Sequence, residues 1–132
     1  MPKFGKTSDQ PLGPLELEVM KVLWQNDGWL DVQNVVEGLA SERAYTTVMT
    51  TLVRLAKKKL VKQKKLGRAY VYRPSVSQSS VVKAALARLA NALFNGDVSQ
   101  LMPQLLDLKS DLKPAQLRRA QRLADKIKDV DK

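Results

Sequence analysis

A mainly α fold carrying a small β-wing, with a purely helical region behind it, is predicted from three observations. Residues 44–58 have helical periodicity and run straight into two short alternating segments around a glycine. Two shorter stretches with apolar residues at helical spacing precede them. Beyond Pro74 the pattern is helical throughout, interrupted only by Asn95-Gly96 and the prolines at 103 and 114. A chain of 132 residues holds one domain, or a domain of about 75 residues with an accessory region. The expected division is a loose tail at 1–11, a winged unit at 12–75 and a helical unit at 76–132.

The first helix is expected over Pro14 to Gln25. Leu15, Val19, Val22 and Leu23 share one face, and Pro14 suits the first helical position. Glu16 and Glu18 near its start favour the positive end of the helix dipole. Two positions apart on a helix, they point away from each other and do not form an acid pair. Asn26-Asp27-Gly28 is a turn, Trp29-Leu30 a short extended piece, and Asp31 an N-cap for a second helix bearing Val32, Val35, Val36 and Leu39. Trp24 and Trp29 flank that turn as packing residues.

The third helix is expected from about Ala44 to Lys58. At about 100° per residue, Val48, Leu52 and Leu55 gather on one side with Thr51 beside them. Thr46, Thr50, Val53 and Lys57 fall opposite, flanked by Thr47 and Arg54. Solvated helix faces usually carry Glu, Lys and Gln, which are better helix formers than Thr. A short, hydroxylated, acid-free face suits close approach to a groove of nucleic acid. LVKQKK and AYVYR then pair around Leu66-Gly67-Arg68. Gly67 supplies a positive φ, Lys62 and Lys64 share a face, and Arg68 sits at the tip. The order helix, short strand, helix, helix, strand, strand is that of a winged helix-turn-helix, in which a helix enters the major groove and a basic hairpin tracks the flanking backbone.

Behind Pro74, Val82, Leu86, Leu89 and Leu93 recur at spacings of four, three and four, the rhythm of a helix-helix seam. Asn95-Gly96 ends that helix. A second apolar segment holds Val98, Leu101, Met102, Leu105 and Leu106, with Pro103 expected to kink it. A third starts near Pro114 and repeats Leu117, Ala120, Ala124 and Ile127, with Arg118, Arg119 and Arg122 outside. Helices this short leave apolar stripes uncovered in a monomer, so pairing with a second copy is expected.

Composition narrows the chemistry. The formal charge is +10, from 23 Lys and Arg against 13 Asp and Glu, and nine basic residues with no acid lie between Arg54 and Arg73. Nucleic acid leads the possible partners and an anionic membrane surface follows. The absence of Cys and His excludes disulfides, zinc fingers and thiol or imidazole catalysis. No nucleophile-base pair or metal cluster can be assembled, so neither an enzyme nor a cofactor is expected. No signal-peptide pattern or run of 18 apolar residues occurs, so the chain reads as cytoplasmic without membrane insertion.

The segments LGPLELEVMKVLW, AYTTVMTTLVRLAKKKLVKQKKLGRAYVYRP and FNGDVSQLMPQLL resemble the penicillinase-repressor family of BlaI, MecI and CopY type. The resemblance covers about residues 12–128. It implies a winged-helix DNA-binding domain and a C-terminal helical region that forms a homodimer, gripping a palindromic operator and blocking transcription. Carried over by position, Thr46, Thr47, Thr50 and Arg54 would face the major groove and Arg68 the backbone. Lys57, Lys58, Lys62, Lys64 and Lys65 would be further phosphate partners. The dimer would form through Val82, Leu86, Leu89, Leu93, Leu101, Leu105, Leu117, Ala120, Ala124 and Ile127. The chain departs from the family at two points: it has no Cys cluster of the copper-responsive kind, and no Asn-Phe bond of the kind cleaved in β-lactam-responsive members, only the reverse Phe94-Asn95. Any upstream sensor or protease is therefore unassigned. Two other readings compete, a non-specific architectural nucleic-acid binder and a winged-helix protein-interaction module. A specificity ratio near one would favour the former, and failure to bind any duplex the latter.

Overall fold

The structure, a computed structural model, describes residues 11–130. The expected tail at 1–11 lies almost wholly outside them. Two compact units divide between Arg88 and Leu89.

In the first unit, α1 (Pro14–Trp24) begins after Gly13, whose N–H donates to Glu16 Oε1 at 2.9 Å. Pro14 opens the helix, where a missing N–H costs nothing, and Val19, Met20, Val22 and Leu23 face inward. After a turn at Gly28 (φ 92°) comes β1 (Leu30–Asp31). Asp31 caps α2 (Val32–Gly38) reciprocally. Its Oδ1 accepts from Asn34 N–H at 2.8 Å, and Asn34 Oδ1 accepts from Asp31 N–H at 3.2 Å. Helix α2 stops before Leu39, which the sequence pattern placed on its stripe, because Leu39 turns extended at ψ 143°. Gly38 passes so close to α1 that a Cβ there would lie 2.9 Å from Val22 Cγ1.

Helix α3 (Tyr45–Lys57) buries Val48, Thr51, Leu52 and Leu55. Thr51, the one hydroxyl on that side, is satisfied by donating to Thr47 O at 2.8 Å. The helix closes on a left-handed residue, Lys59 (φ 65°). Leu60 N–H reaches Leu55 O and Lys59 N–H reaches Ala56 O, both at 3.0 Å, the double bond of a Schellman ending.

Strands β2 (Val61–Leu66) and β3 (Ala69–Pro74) form an antiparallel hairpin, and β1 pairs with the free edge of β3, giving the order β1-β3-β2. Leu66 pairs with Ala69, leaving Gly67-Arg68 as a two-residue turn with Gly67 at φ 65°. Cross-strand pairing places Gln63 and Lys65 on one face with Tyr72 and Tyr70, and Lys62 and Lys64 on the other with Arg73 and Val71. Tyr72 belongs to the core, its hydroxyl accepting from Gln63 Nε2 at 2.9 Å. Burial holds that phenol's pKa above its ordinary value, an effect the Gln63 bond partly offsets. Trp29 lies against the second face, with Lys64 Nζ at 4.4 Å and Arg73 Cζ at 5.6 Å from its ring centre. Both Val71 and Tyr72 are consequently buried, although alternation alone would bury one of them. Trp24 Nε1 donates to Val76 O at 2.9 Å, tying the chain after the wing to α1.

Helix α4 (Gln78–Phe94) contains the division between the units, and Asn95 (φ 53°) and Gly96 (φ 87°) end it. A 3₁₀ turn, Val98–Gln100, leads into α5 (Leu101–Asp107), a second 3₁₀ turn follows at Leu108–Asp111, and α6 runs Pro114–Val130. The expected kink at Pro103 is corrected: the residue lies in the first turn of α5, where no N–H is needed and proline is tolerated. Among the described residues, no helix is long and apolar enough to cross a membrane.

Candidate nucleic-acid interface

The outward arc of α3 is built by elimination. Val48, Thr51, Leu52 and Leu55 occupy the core side, so Thr46, Thr47, Thr50, Arg54 and Lys57 are left exposed. Thr46, Thr47, Thr50 and Arg54 line a shallow hollow of about 340 Å³ together with Leu15. On the other flank of α3, toward the wing, lies a groove of about 380 Å³. Tyr45, Met49 and Val53 form its helix side, Gln63, Arg68 and Tyr70 its wing side, and Asp31, Val32 and Gln33 at the start of α2 also line it. Sequence reasoning passed over this groove, since it arises only where hairpin and helix meet.

Apart from Asp31, which caps α2, charge on this surface is one-sided. No acidic residue occurs between Arg43 and Gly96. Lys62, Lys64, Lys65 and Arg68 are all exposed, but on different faces: Lys65 shares the face of Tyr70, whereas Lys62 and Lys64 lie on the Trp29 side.

Lys58 is a correction to the expected phosphate partners. Its Nζ donates to Glu16 at 2.9 Å (Oε2) and 3.1 Å (Oε1), and the two side chains are 23% and 9% exposed. This lysine neutralises the near-buried carboxylate that caps α1. Burial alone would raise the Glu16 pKa. The Gly13 N–H, the bond and charge of Lys58 and the charge of Arg54 outweigh it and hold the carboxyl below its ordinary value. Continuing the helical projection at about 100° per residue turns Lys57 outward and Lys58 toward the buried side, a signal that would have separated them.

In the second unit, Leu89 and Leu93 are exposed at 45% and 65%, and Leu105 at 50%. Val82, on the part of α4 in the first unit, is also exposed and Leu86 half-buried. Leu105, Leu117, Ala120 and Ala124 line an apolar hollow of about 410 Å³ with Leu106 and Leu112. Leu101 departs from the expected stripe, because it is already buried within the chain. The side chain of Ile127 lies outside the described residues. Leu106, part of the expected second apolar segment, is exposed, as are Leu108 and Leu123, which the sequence pattern did not single out for pairing. Among the described residues, no group of three or more His, Cys, Asp or Glu side chains is placed to hold a metal.

A family model described as Penicillinase repressor matches residues 12–126. The penicillinase repressor of Bacillus licheniformis is 30% identical over 109 residues, covering 81% of this chain and 80% of that protein. The transcriptional regulator BlaI of Mycobacterium tuberculosis is 43% identical over 88 residues, 64% of each. Among solved structures, the DNA-binding domain of the repressor BlaI superposes with a TM-score of 0.47 at 33% identity, over 61% of this chain and 93% of that one. The monomeric form of Bacillus licheniformis BlaI bound to the blaP half-operator gives 0.46 at 34% identity, over 55% and 89%.

Proposed function

The chain belongs to the penicillinase repressor family, and from that premise we propose that it is a sequence-specific DNA-binding transcriptional repressor, acting in the cytoplasm as a homodimer on a palindromic operator. The observation that carries the reading is the outer face of α3. It is exposed, hydroxylated and free of acid, and it stands beside a basic hairpin. Thr46, Thr47, Thr50 and Arg54 read base edges in the major groove, Thr by hydroxyl and methyl, Arg by its paired donors. Lys57, Lys62, Lys64, Lys65 and Arg68 hold phosphates and set register without reading sequence. Residues 12–75 do this work and residues 76–132 pair the two copies. Exposed leucines at 89, 93 and 105 and the hollow between α5 and α6 support pairing, since apolar area of this kind is costly to leave in water. Two-fold pairing places half-sites about one turn, roughly 10 bp, apart or a multiple of that.

The test is footprinting of the full chain on the region upstream of its own gene, followed by titration of Thr50→Ala and Lys64→Ala against operator and random duplex. Thr50→Ala is expected to cost about 1–3 kcal/mol on the operator alone. Lys64→Ala weakens both duplexes and lowers the salt slope by about 0.9. Equal losses in the two variants on both duplexes, or bound sites without an inverted repeat, would count against the reading.

A further inference from the structure

The outward arc of α3 has two halves of different chemistry. One carries Thr47, Thr50 and Arg54. The other, turned to the wing, carries Tyr45, Met49 and Val53 at intervals of four, exposed at 49%, 39% and 36%. These three stand outside the core stripe of Val48, Leu52 and Leu55. At about 100° per residue Val53 lies opposite that stripe, and Tyr45 and Met49 lie on its wing-side flank. They form the helix wall of the 380 Å³ groove whose wing wall holds Arg68 and Tyr70.

The charge around the groove selects its occupant. Its lining includes one acid, Asp31, whose carboxylate caps α2. The rest of the helix and hairpin has no acid between Arg43 and Gly96, so a second copy presenting this same basic surface would bring like charge against like. A duplex brings phosphates to Arg68 and continues the surface already presented by Thr46 and Thr50. Within the major groove, thioether and isopropyl groups make no hydrogen bond to a base edge. The one base feature that rewards them is the thymine C5-methyl.

We infer that Met49 and Val53 are specificity-determining residues that read thymine methyl groups, with Tyr45 and Tyr70 shielding the contact from water. The inference rests on the DNA-binding reading above and adds an apolar component to its hydroxyl and guanidinium contacts. Met49 and Val53 lie about 6 Å apart along the helix axis, close to two base steps of roughly 3.4 Å. They therefore address two positions of a half-site, displaced toward the wing from those facing Thr50.

The experiment selects duplexes from a random pool with the full chain, then resynthesises the preferred one with deoxyuridine replacing one thymidine at a time. Wild type is expected to bind about fourfold more weakly at one or two positions per half-site, the equivalent of about 0.8 kcal/mol for one methyl-sized group. Met49→Gln and Val53→Gln, both exposed replacements by a good helix former, are expected to keep the thermal midpoint. Each becomes indifferent to uracil at one of those positions. Wild-type indifference to every uracil overturns the inference while leaving a repressor with a preferred site. Undiminished uracil sensitivity in both variants overturns the assignment to these residues. Failure to enrich any duplex overturns both readings together.

Discussion

Replacing Lys58 by Met separates the strut of the winged unit from its grip. Lys58 Nζ bonds both oxygens of Glu16, at 2.9 and 3.1 Å, and the carboxylate is 9% exposed. The variant leaves that charge with the Gly13 N–H, 2.9 Å away, and the charge of Arg54. A hydrogen bond to a charged group contributes about 1.5–3 kcal/mol. Because Lys58 keeps 23% of its side-chain exposure, the lower part of that range applies, about 1.5–2 kcal/mol. For a unit of this size each kcal/mol moves the midpoint by about 4–8 °C, so thermal unfolding followed by circular dichroism should show a drop of about 6–16 °C. Operator affinity well below the midpoint, and its salt slope, should be nearly unchanged. Lys57→Met, one residue away, should do the reverse, with an unaltered midpoint and a slope lower by about 0.9. An unchanged midpoint together with a reduced slope in Lys58→Met refutes the assignment. The pair also sets a pH dependence. The folded Glu16 pKa lies below its ordinary value of 4.5, so its contribution is complete above the unfolded value and is lost as pH falls through the folded one. Glu16→Gln should remove that part of the acid destabilisation.

Other perturbations have equally definite outcomes. Lys59→Gly relieves a left-handed non-glycine residue and should raise stability by up to about 1 kcal/mol in urea titration, offset in part by the freer unfolded chain. Gly38→Ala drives a methyl to 2.9 Å from the buried Val22 and should cost about 1–3 kcal/mol, whereas Gly28→Ala would show strain without any clash. Trp29→Leu removes the ring between Lys64 and Arg73. With each cation–π contact contributing about 0.5–1 kcal/mol, amide exchange in β2 and β3 should accelerate while α3 keeps its protection.

What the sequence made legible was whatever a local period or cap encodes. The α3 stripe, the Asp31 cap, the Gly67 turn and the Asn95-Gly96 stop each depend on residues within a turn or two of one another. What it hid depends on partners distant in the chain. Lys57, Lys58 and Lys59 are the same residue type in a row, yet one faces outward, one meets a carboxylate 42 positions earlier and one bends the backbone. The Trp29 contact with Lys64 and the groove beside Met49 come into being only when β1 and the hairpin dock. Pro103 misled for a different reason: a proline reads as a breaker unless the start of the helix is known to the residue, and the preceding 3₁₀ turn moved that start to Leu101.

The middle strand of the sheet, β3, is the last of the three in chain order. Its pairing of Leu30 with Tyr72 closes a loop of about forty residues, and the Trp24 bond to Val76 closes one ten residues longer. The hairpin itself can zip within microseconds, but joining it to β1 waits on that long-range closure. During synthesis, α3 is therefore complete while the surface that orients it is not. A nascent chain stopped before Tyr72 would carry every residue proposed to read bases and have no fixed frame on which to present them.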